Sequence, residues 1–397
     1  MNTLSVKKTD RGIATILLIS MLTQFVGIEG IGVSPIKVVI MGISALLFIF
    51  KYNYRTNAVT FGLLFLVSIL FCSLYAEEIR YSTVIYFAMY VFMYMCFYNL
   101  IFIKHAISTD YFVFFCKNMI YAFVIVLIIQ QFLFFVGIRN FPIFNLTGQE
   151  YLLINKLPSL CIEPSHSARV LGCLFIGYLY GLEFQNRANL SYKILFEKQH
   201  RLVVLAFLYA IFSMGSSTGF IMIALALMKF TSGVTVIVTA ILIVLGVIIS
   251  PLVDIPELNR LVAVINASMT GDVQTIYETD SSASSRISPL LNTFLDMDLT
   301  QSTSWFGNGT IMEEFDVADY YDVVMTNKLG IVDQYGLIGL IASFVFIYKC
   351  CISRFLSVET LVFAFVLGMS VGNIYYTWGC LMLFTCITYL KNKEYGR

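Results

Sequence analysis

Charge is what this sequence has least of. Only 12% of its 397 residues are charged and 59% are hydrophobic, with a mean hydropathy of +0.83. An ordinary soluble domain does not reach that balance, so the chain reads as a polytopic membrane protein. The net charge is +1, which provides no basic surface for nucleic acid. Walker, GxGxxG and HExxH patterns are all missing, which argues against ATP-driven, nicotinamide and zincin chemistry. The nine cysteines form no CxxC pair and no Cys/His metal spacing. Cys72, Cys96, Cys116, Cys173, Cys380 and Cys386 lie in apolar runs, where a thiol behaves as a small hydrophobe. No metal or cofactor is expected. Internal repeats and low-complexity linkers are lacking too, so residues 1–397 read as a single integral membrane domain.

What is present is a series of apolar stretches, at 13–31, 33–50, 59–75, 81–103, 113–137, 167–183, 202–214, 218–230, 233–250, 331–348, 357–372 and 374–390. The expected fold is all-α, with about twelve transmembrane helices. Lys7, Lys8 and Arg11 precede the first stretch without a small-residue cleavage site, so it reads as a helix that stays attached. An even number of crossings puts both termini on one face. With that face in the cytoplasm, sixteen of the 25 Lys and Arg residues fall on it, eight fall outside and Lys117 lies within a span, as the positive-inside bias requires.

Two extracytoplasmic loops are too long to be connectors, 138–166 and 251–330, and long loops in compact domains usually serve binding or catalysis. The larger carries twelve carboxylates against Arg260, Arg286 and Lys328, a formal charge of −9. Within it Leu258, Leu261, Val262 and Ile265 repeat at helical spacing, as do Ile287, Leu290, Leu291 and Phe294. Two amphipathic helices on the membrane surface or over a cavity are expected.

Chemistry concentrates in Cys161-Ile162-Glu163-Pro164-Ser165-His166-Ser167-Ala168-Arg169. Pro164 suits the first position of a helix, whose free N–H groups attract anions. Arg169 adds a guanidinium three residues from His166, and Glu163 could accept a proton from a hydroxyl. The bland alternative makes Glu163 a cap, His166 an interfacial residue and Arg169 a snorkelling one. The cost of charge at that depth favours function for Glu163 and Arg169. In Gly215-Ser216-Ser217-Thr218-Gly219, the hydroxyls of Ser216, Ser217 and Thr218 could bond sugar or phosphate oxygens, but a helix cap would look the same and is the expected role. Arg286, Trp305-Phe306-Gly307-Asn308-Gly309, Tyr320 and Tyr321 place a cation and aromatic faces among the loop's carboxylates, a combination suited to a glycan.

With these residues in hand, the chain resembles the bacterial O-antigen polymerase family (Wzy-type), in a superfamily with the O-antigen ligases. The marks are Glu163-Pro164-Ser165 followed by Ala168, the Ser217-Thr218-Gly219 turn, and the stretch from Arg286 to Gly307-x-Gly309. The resemblance implies transfer of a growing glycan from undecaprenyl diphosphate to another lipid-linked repeat unit, at the outer face of the inner membrane, without nucleotide or metal. It implies as partners the undecaprenyl-diphosphate-linked oligosaccharide, membrane lipids and a chain-length regulator protein. The family often has Arg between the Ser and Thr of its turn, where this chain has Ser216-Ser217-Thr218, so the phosphate role passes to Arg169, Arg286 or Arg139. Ligases of the superfamily use a His in the large loop, and none lies between Pro251 and Gly330. The competing readings are a ligase and a lipid-linked oligosaccharide flippase, whose matching halves are not seen here.

Overall fold

The computed structural model describes residues 7–24, 34–76, 79–138, 156–187, 190–230, 256–295, 297–309, 328–369 and 371–394, without the side chains of 256–261, 281–283, 285 and 286. The apolar run 233–250, Arg139, Tyr320, Tyr321 and the side chain of Arg286 therefore lie outside the described residues. Within them the chain is all-helical, with no strand.

The helices are α1 (Lys8–Leu22), α2 (Pro35–Phe50), α3 (Asn57–Ser73), α4 (Tyr81–Phe102), α5 (Thr109–Phe135) and α6 (Pro164–Asn186). They continue as α7 (Lys198–Met214), α8 (Ser217–Leu227), α9 (Pro256–Met269), α10 (Val273–Thr279), α11 (Ser281–Leu295), α12 (Ser302–Phe306), α13 (Gly330–Cys350), α14 (Val358–Phe365) and α15 (Tyr375–Glu394). Local chemistry sets many of the ends. Pro35 and Pro164 open α2 and α6, where a missing N–H costs nothing. Ser108 and Ser357 cap α5 and α14 through their hydroxyls. Asp272 caps α10 by accepting from the N–H groups of Gln274 and Thr275, and these bonds with the Thr275 hydroxyl hold its carboxyl below the usual carboxylate range.

Two helices form the centre. α15 is buried at every position from Tyr375 to Leu390, and α6 along most of its length. A helix that is apolar all round belongs in the interior. α15 packs against α1, α4 and α6, while α6 also packs against α5 and α8. Small residues allow the closest approaches. A Cβ on Gly379 would lie 2.6 Å from the Met21 carbonyl oxygen, so α1 and α15 meet backbone to backbone, a packing mode favoured where lipid gives no hydrophobic drive. The outer helices turn apolar residues outward, as in Ile36, Val39, Ile43, Leu46 and Phe50 of α2 and Phe114, Ile125, Ile128 and Phe132 of α5. Exposed apolar surface of that extent fits a bilayer. Among the described residues α4, α5 and α13 are long and apolar enough to cross one, and α2, α3 and 217–230 are shorter apolar helices.

The bundle has two ends. At the proximal end, Arg11 donates to the Ala106 carbonyl at 3.4 Å, Tyr52 to Asp10 at 2.7 Å, and His105 Nδ1 meets the Tyr389 hydroxyl at 2.9 Å. The start of α1 and the end of α15 are thus on one side. At the distal end, Gln24 donates its N–H to Leu160 at 2.7 Å and Asn373 donates to the Thr83 carbonyl at 3.2 Å.

One expectation changes. The apolar run 357–372 is not one long helix: α14 has eight residues, about 12 Å, too short to cross. Gly368 and Met369 both take positive φ, 64° and 50°, and the chain turns back as Met369 N–H bonds the Phe363 carbonyl at 3.1 Å. The two helices expected in the larger loop are present as α9 and α11; among the described side chains of α9, Val264 and Ala267 are buried and Ile265 is 46% exposed. α11 buries its polar face, Ser284, Ser288 and Asn292, and exposes Phe294 and Leu295. The Ser284 and Ser288 hydroxyls bond each other at 2.7 Å, which satisfies them without water.

Candidate functional site

The segment before α6 is buried although it is not helical. Leu157, Ser159, Leu160 and Cys161 are all buried, and irregular backbone at such a place must satisfy its polar groups within the protein. Ser159, at φ 57°, is held by Gln130 through two bonds of 2.8 and 3.0 Å, and its hydroxyl donates to the Phe123 carbonyl at 2.6 Å. Cys161 points its thiol at the Leu22 carbonyl, 3.7 Å away. Burial pushes that thiol up to about 11, so it remains protonated at neutral pH and is no nucleophile. The clamp fixes where α6 begins.

Glu163 precedes Pro164 in extended conformation, and its carboxylate makes no capping hydrogen bond. It accepts instead from the Ser165 hydroxyl at 3.2 Å and lies 3.7 Å from His166 Nε2. The Glu163 side chain is 34% exposed and His166 20%, so an incoming group can reach both. The His166 ring stands 4.3 Å from that of Tyr376. Arg169 donates to the Tyr376 hydroxyl and places its guanidinium carbon 5.3 Å from the ring centroid. Its Nε is buried without a hydrogen-bond partner among the described residues.

The neighbour that sequence reasoning missed is Lys37. It is 4% exposed, sits 3.3 Å from the centroid of Tyr375 and donates to Gln24 Oε1 at 3.4 Å. Lys37 and Arg169 have no carboxylate partner among the described residues. A lysine two residues after Pro35, opening an apolar run, was the available signal. Tyr375 and Tyr376 were missed because aromatic residues at a span end are commonplace.

Three helices, α2, α6 and α15, begin beside one another here. Each N-terminus carries about half a positive charge. Added to two cations on aromatic faces, they make a positively polarised corner with Glu163 as the carboxylate at its edge among the described residues, able to hold a phosphate group and to take a proton next to it.

The other candidates fare differently. Ser216 occupies the N-cap of α8 but its side chain makes no capping bond, against the expected cap. Ser216 and Thr218 are buried, and α8 packs on α6. No described contact joins the turn to Glu163. Trp305 donates its indole N–H to the Leu299 carbonyl at 2.9 Å, and Phe306 stacks on Tyr75 with centroids 4.3 Å apart. Asn308 pairs twice with Asp333, backbone at 2.7 Å and side chain at 2.9 Å. The Trp305-to-Asn308 segment is therefore docked on the first turns of α13, apart from the described contacts of Glu163. No group of three or more His, Cys, Asp or Glu able to hold a metal occurs among the described residues.

Comparison with protein-family models finds no matching family, and comparisons with curated proteins and with solved structures find no match.

Proposed function

We propose that the chain polymerises undecaprenyl-diphosphate-linked oligosaccharide repeat units, moving the growing glycan onto a new lipid-linked unit at the outer face of the bacterial inner membrane. Both termini are then cytoplasmic and the distal end of the bundle faces outward. The observation that carries the reading is the meeting of Lys37 and Arg169, neither with a described carboxylate partner, at three helix N-termini beside Glu163. The family resemblance supplies the substrate class, and the corner is consistent with it.

In this mechanism a hydroxyl of the acceptor sugar attacks the anomeric carbon of the donor, and the bond from that carbon to the diphosphate oxygen breaks. Charge develops on the leaving diphosphate, where Lys37, Arg169 and the backbone N–H groups of α6 stabilise it without reorganisation. Glu163 takes the hydroxyl proton, with His166 3.7 Å away to share it. Holding donor and acceptor together in the membrane plane supplies further rate by proximity. Arg286 and Arg139 are assigned to diphosphate contacts on the resemblance, and the loop aromatics Trp305, Tyr320 and Tyr321 to sugar contacts on their aromatic faces among carboxylates. A chain-length regulator is the proposed protein partner.

The test is a deletion strain analysed for its surface glycan. A polymerase deletion converts the ladder of chain lengths to a single repeat unit per anchor, a ligase deletion leaves no unit on the anchor, and a flippase deletion traps units on the cytoplasmic leaflet. A retained ladder would sink the assignment.

A further inference from the structure

The proximal end of the bundle holds a second group of charges that the proposed reaction does not use. Glu183 lies twenty residues beyond Glu163 on α6, about 30 Å along the helix. It forms an ion pair with Lys229, which follows α8. Lys391 of α15 pairs with Glu359 of α14 at 2.5 Å, and Tyr180 donates its hydroxyl to the same carboxylate at 2.8 Å. Both ammonium groups lie over the Tyr180 ring, 3.6 and 4.3 Å from its centroid.

Tyr180, Glu183, Lys229 and Lys391 line an open cavity of about 690 Å³ between the ends of α6, α8 and α15 and the α13–α14 connection. Its wall includes Arg354, which has no ion-pair partner among the described residues. Each of the two ion pairs is neutral in itself. Arg354 is then the excess cation, exposed beside Ser353 at the rim. A concave wall focuses that charge more than a flat surface would. Next to it Phe355 and Leu356 are 70% and 91% exposed, apolar surface of the kind that meets acyl chains at an interface.

We infer that this cavity binds a singly charged phosphate ester, gripped by the guanidinium of Arg354 with the hydroxyl of Ser353, while Lys229 and Lys391 shape its floor. A headgroup of an anionic phospholipid and a soluble phosphate ester present the same chemistry. The volume suits a ligand of that size, and a net charge of one matches one excess cation.

The experiment uses the purified full-length protein in neutral detergent, with thermal unfolding and native mass spectrometry as readouts. Phosphatidylglycerol is expected to bind about tenfold more tightly than diacylglycerol, which lacks the phosphate, the factor one charge-assisted hydrogen bond provides. Arg354→Ala should abolish that preference and Arg354→Lys should keep part of it, since an ammonium lacks the guanidinium fork. Arg354 is exposed, so its variants should fold, and Lys193→Ala serves as the control with preference unchanged. Stabilisation by inorganic phosphate that also depends on Arg354 supports the site and assigns it to soluble esters. Equal binding of the two lipids with no effect of phosphate overturns the inference, as does an Arg354→Ala protein that keeps the preference.

Discussion

Lys37 directs its ammonium at the face of Tyr375, 3.3 Å from the ring centroid, and has Gln24 as its hydrogen-bond acceptor at 3.4 Å. A buried ammonium whose partners among the described residues are a ring and an amide is expensive. Chain stability does not call for it. The first prediction follows: Lys37→Met, which fills similar volume without charge, should unfold at the same temperature as the parent or higher, yet lose the glycan ladder. Loss of one donor to a developing oxyanion typically slows reaction by about a hundredfold or more. A Lys37→Met strain with a normal ladder at matched membrane levels would remove Lys37 from the proposed site.

The second prediction separates Glu163 as a base from Glu163 as structure. Its carboxylate bonds Ser165 and no backbone group of α6, so Glu163→Gln keeps shape and most of the local bonding but cannot take a proton. The expected phenotype is a single repeat unit per anchor with wild-type levels of inserted protein. His166→Ala should reduce ladder length less severely, because the carboxylate remains. Full activity of Glu163→Gln would mean that another group accepts the proton.

How far was this legible in the sequence? The long apolar helices were, because hydropathy is local: the expected 81–103 and 113–137 correspond to Tyr81–Phe102 and Thr109–Phe135. The break after Phe365 was not, because a left-handed turn at Gly368 and Met369 is a backbone choice that apolar composition conceals. Glu163, His166 and Arg169 drew notice together since seven residues contain them. Lys37, Tyr375 and Tyr376 reach the same corner from α2 and α15, and only folding makes them neighbours. The exposed Phe294 and Leu295 at the end of α11 show a further limit: periodicity marks an amphipathic helix but does not say whether protein or lipid takes its apolar side.

The third prediction concerns orientation and rests on the sixteen basic residues on one side against eight. Reporter fusions after Lys193 and Lys391 should read as cytoplasmic, and fusions after Thr147 and Thr279 as extracytoplasmic. Because Lys391 and Arg354 line the same proximal cavity, they must report one compartment. A cytoplasmic signal at Thr279 would put the charged corner of α6 in doubt as an outward-facing site.

The fourth prediction addresses the docked loop. Gly307 and Gly336 take positive φ, 81° and 64°, and press against each other's helices: a Cβ on Gly336 would overlap the Trp305 carbonyl, and one on Gly307 the peptide between Gln334 and Tyr335. Backbone cannot retreat as a side-chain tip can. Gly336→Ala should therefore cost about 1–3 kcal/mol or more and release the Trp305 segment, seen as faster proteolysis between α11 and α13. Protection equal to that of the parent would show that the contact is not held in the membrane-embedded protein.

The last prediction uses the buried pair of Lys391 and Glu359. Glu359 is 1% exposed, and its partners are Lys391 at 2.5 Å and the Tyr180 hydroxyl at 2.8 Å. Removing the ammonium strands a carboxylate in the interior, and such one-sided deletions typically cost about 3–5 kcal/mol. Lys391→Ala should accordingly lower the unfolding temperature markedly. Replacing both partners by apolar residues of similar volume, Lys391→Met with Glu359→Leu, should recover most of that loss, because no charge is then left unpaired even though the Tyr180 hydroxyl loses its acceptor. With the single variants Lys391→Met and Glu359→Leu added, the comparison closes a double-mutant cycle on detergent-solubilised protein, and its sign is the informative part. A Lys391→Ala protein as stable as the parent would mean that water enters the proximal cavity deeply enough to solvate Glu359.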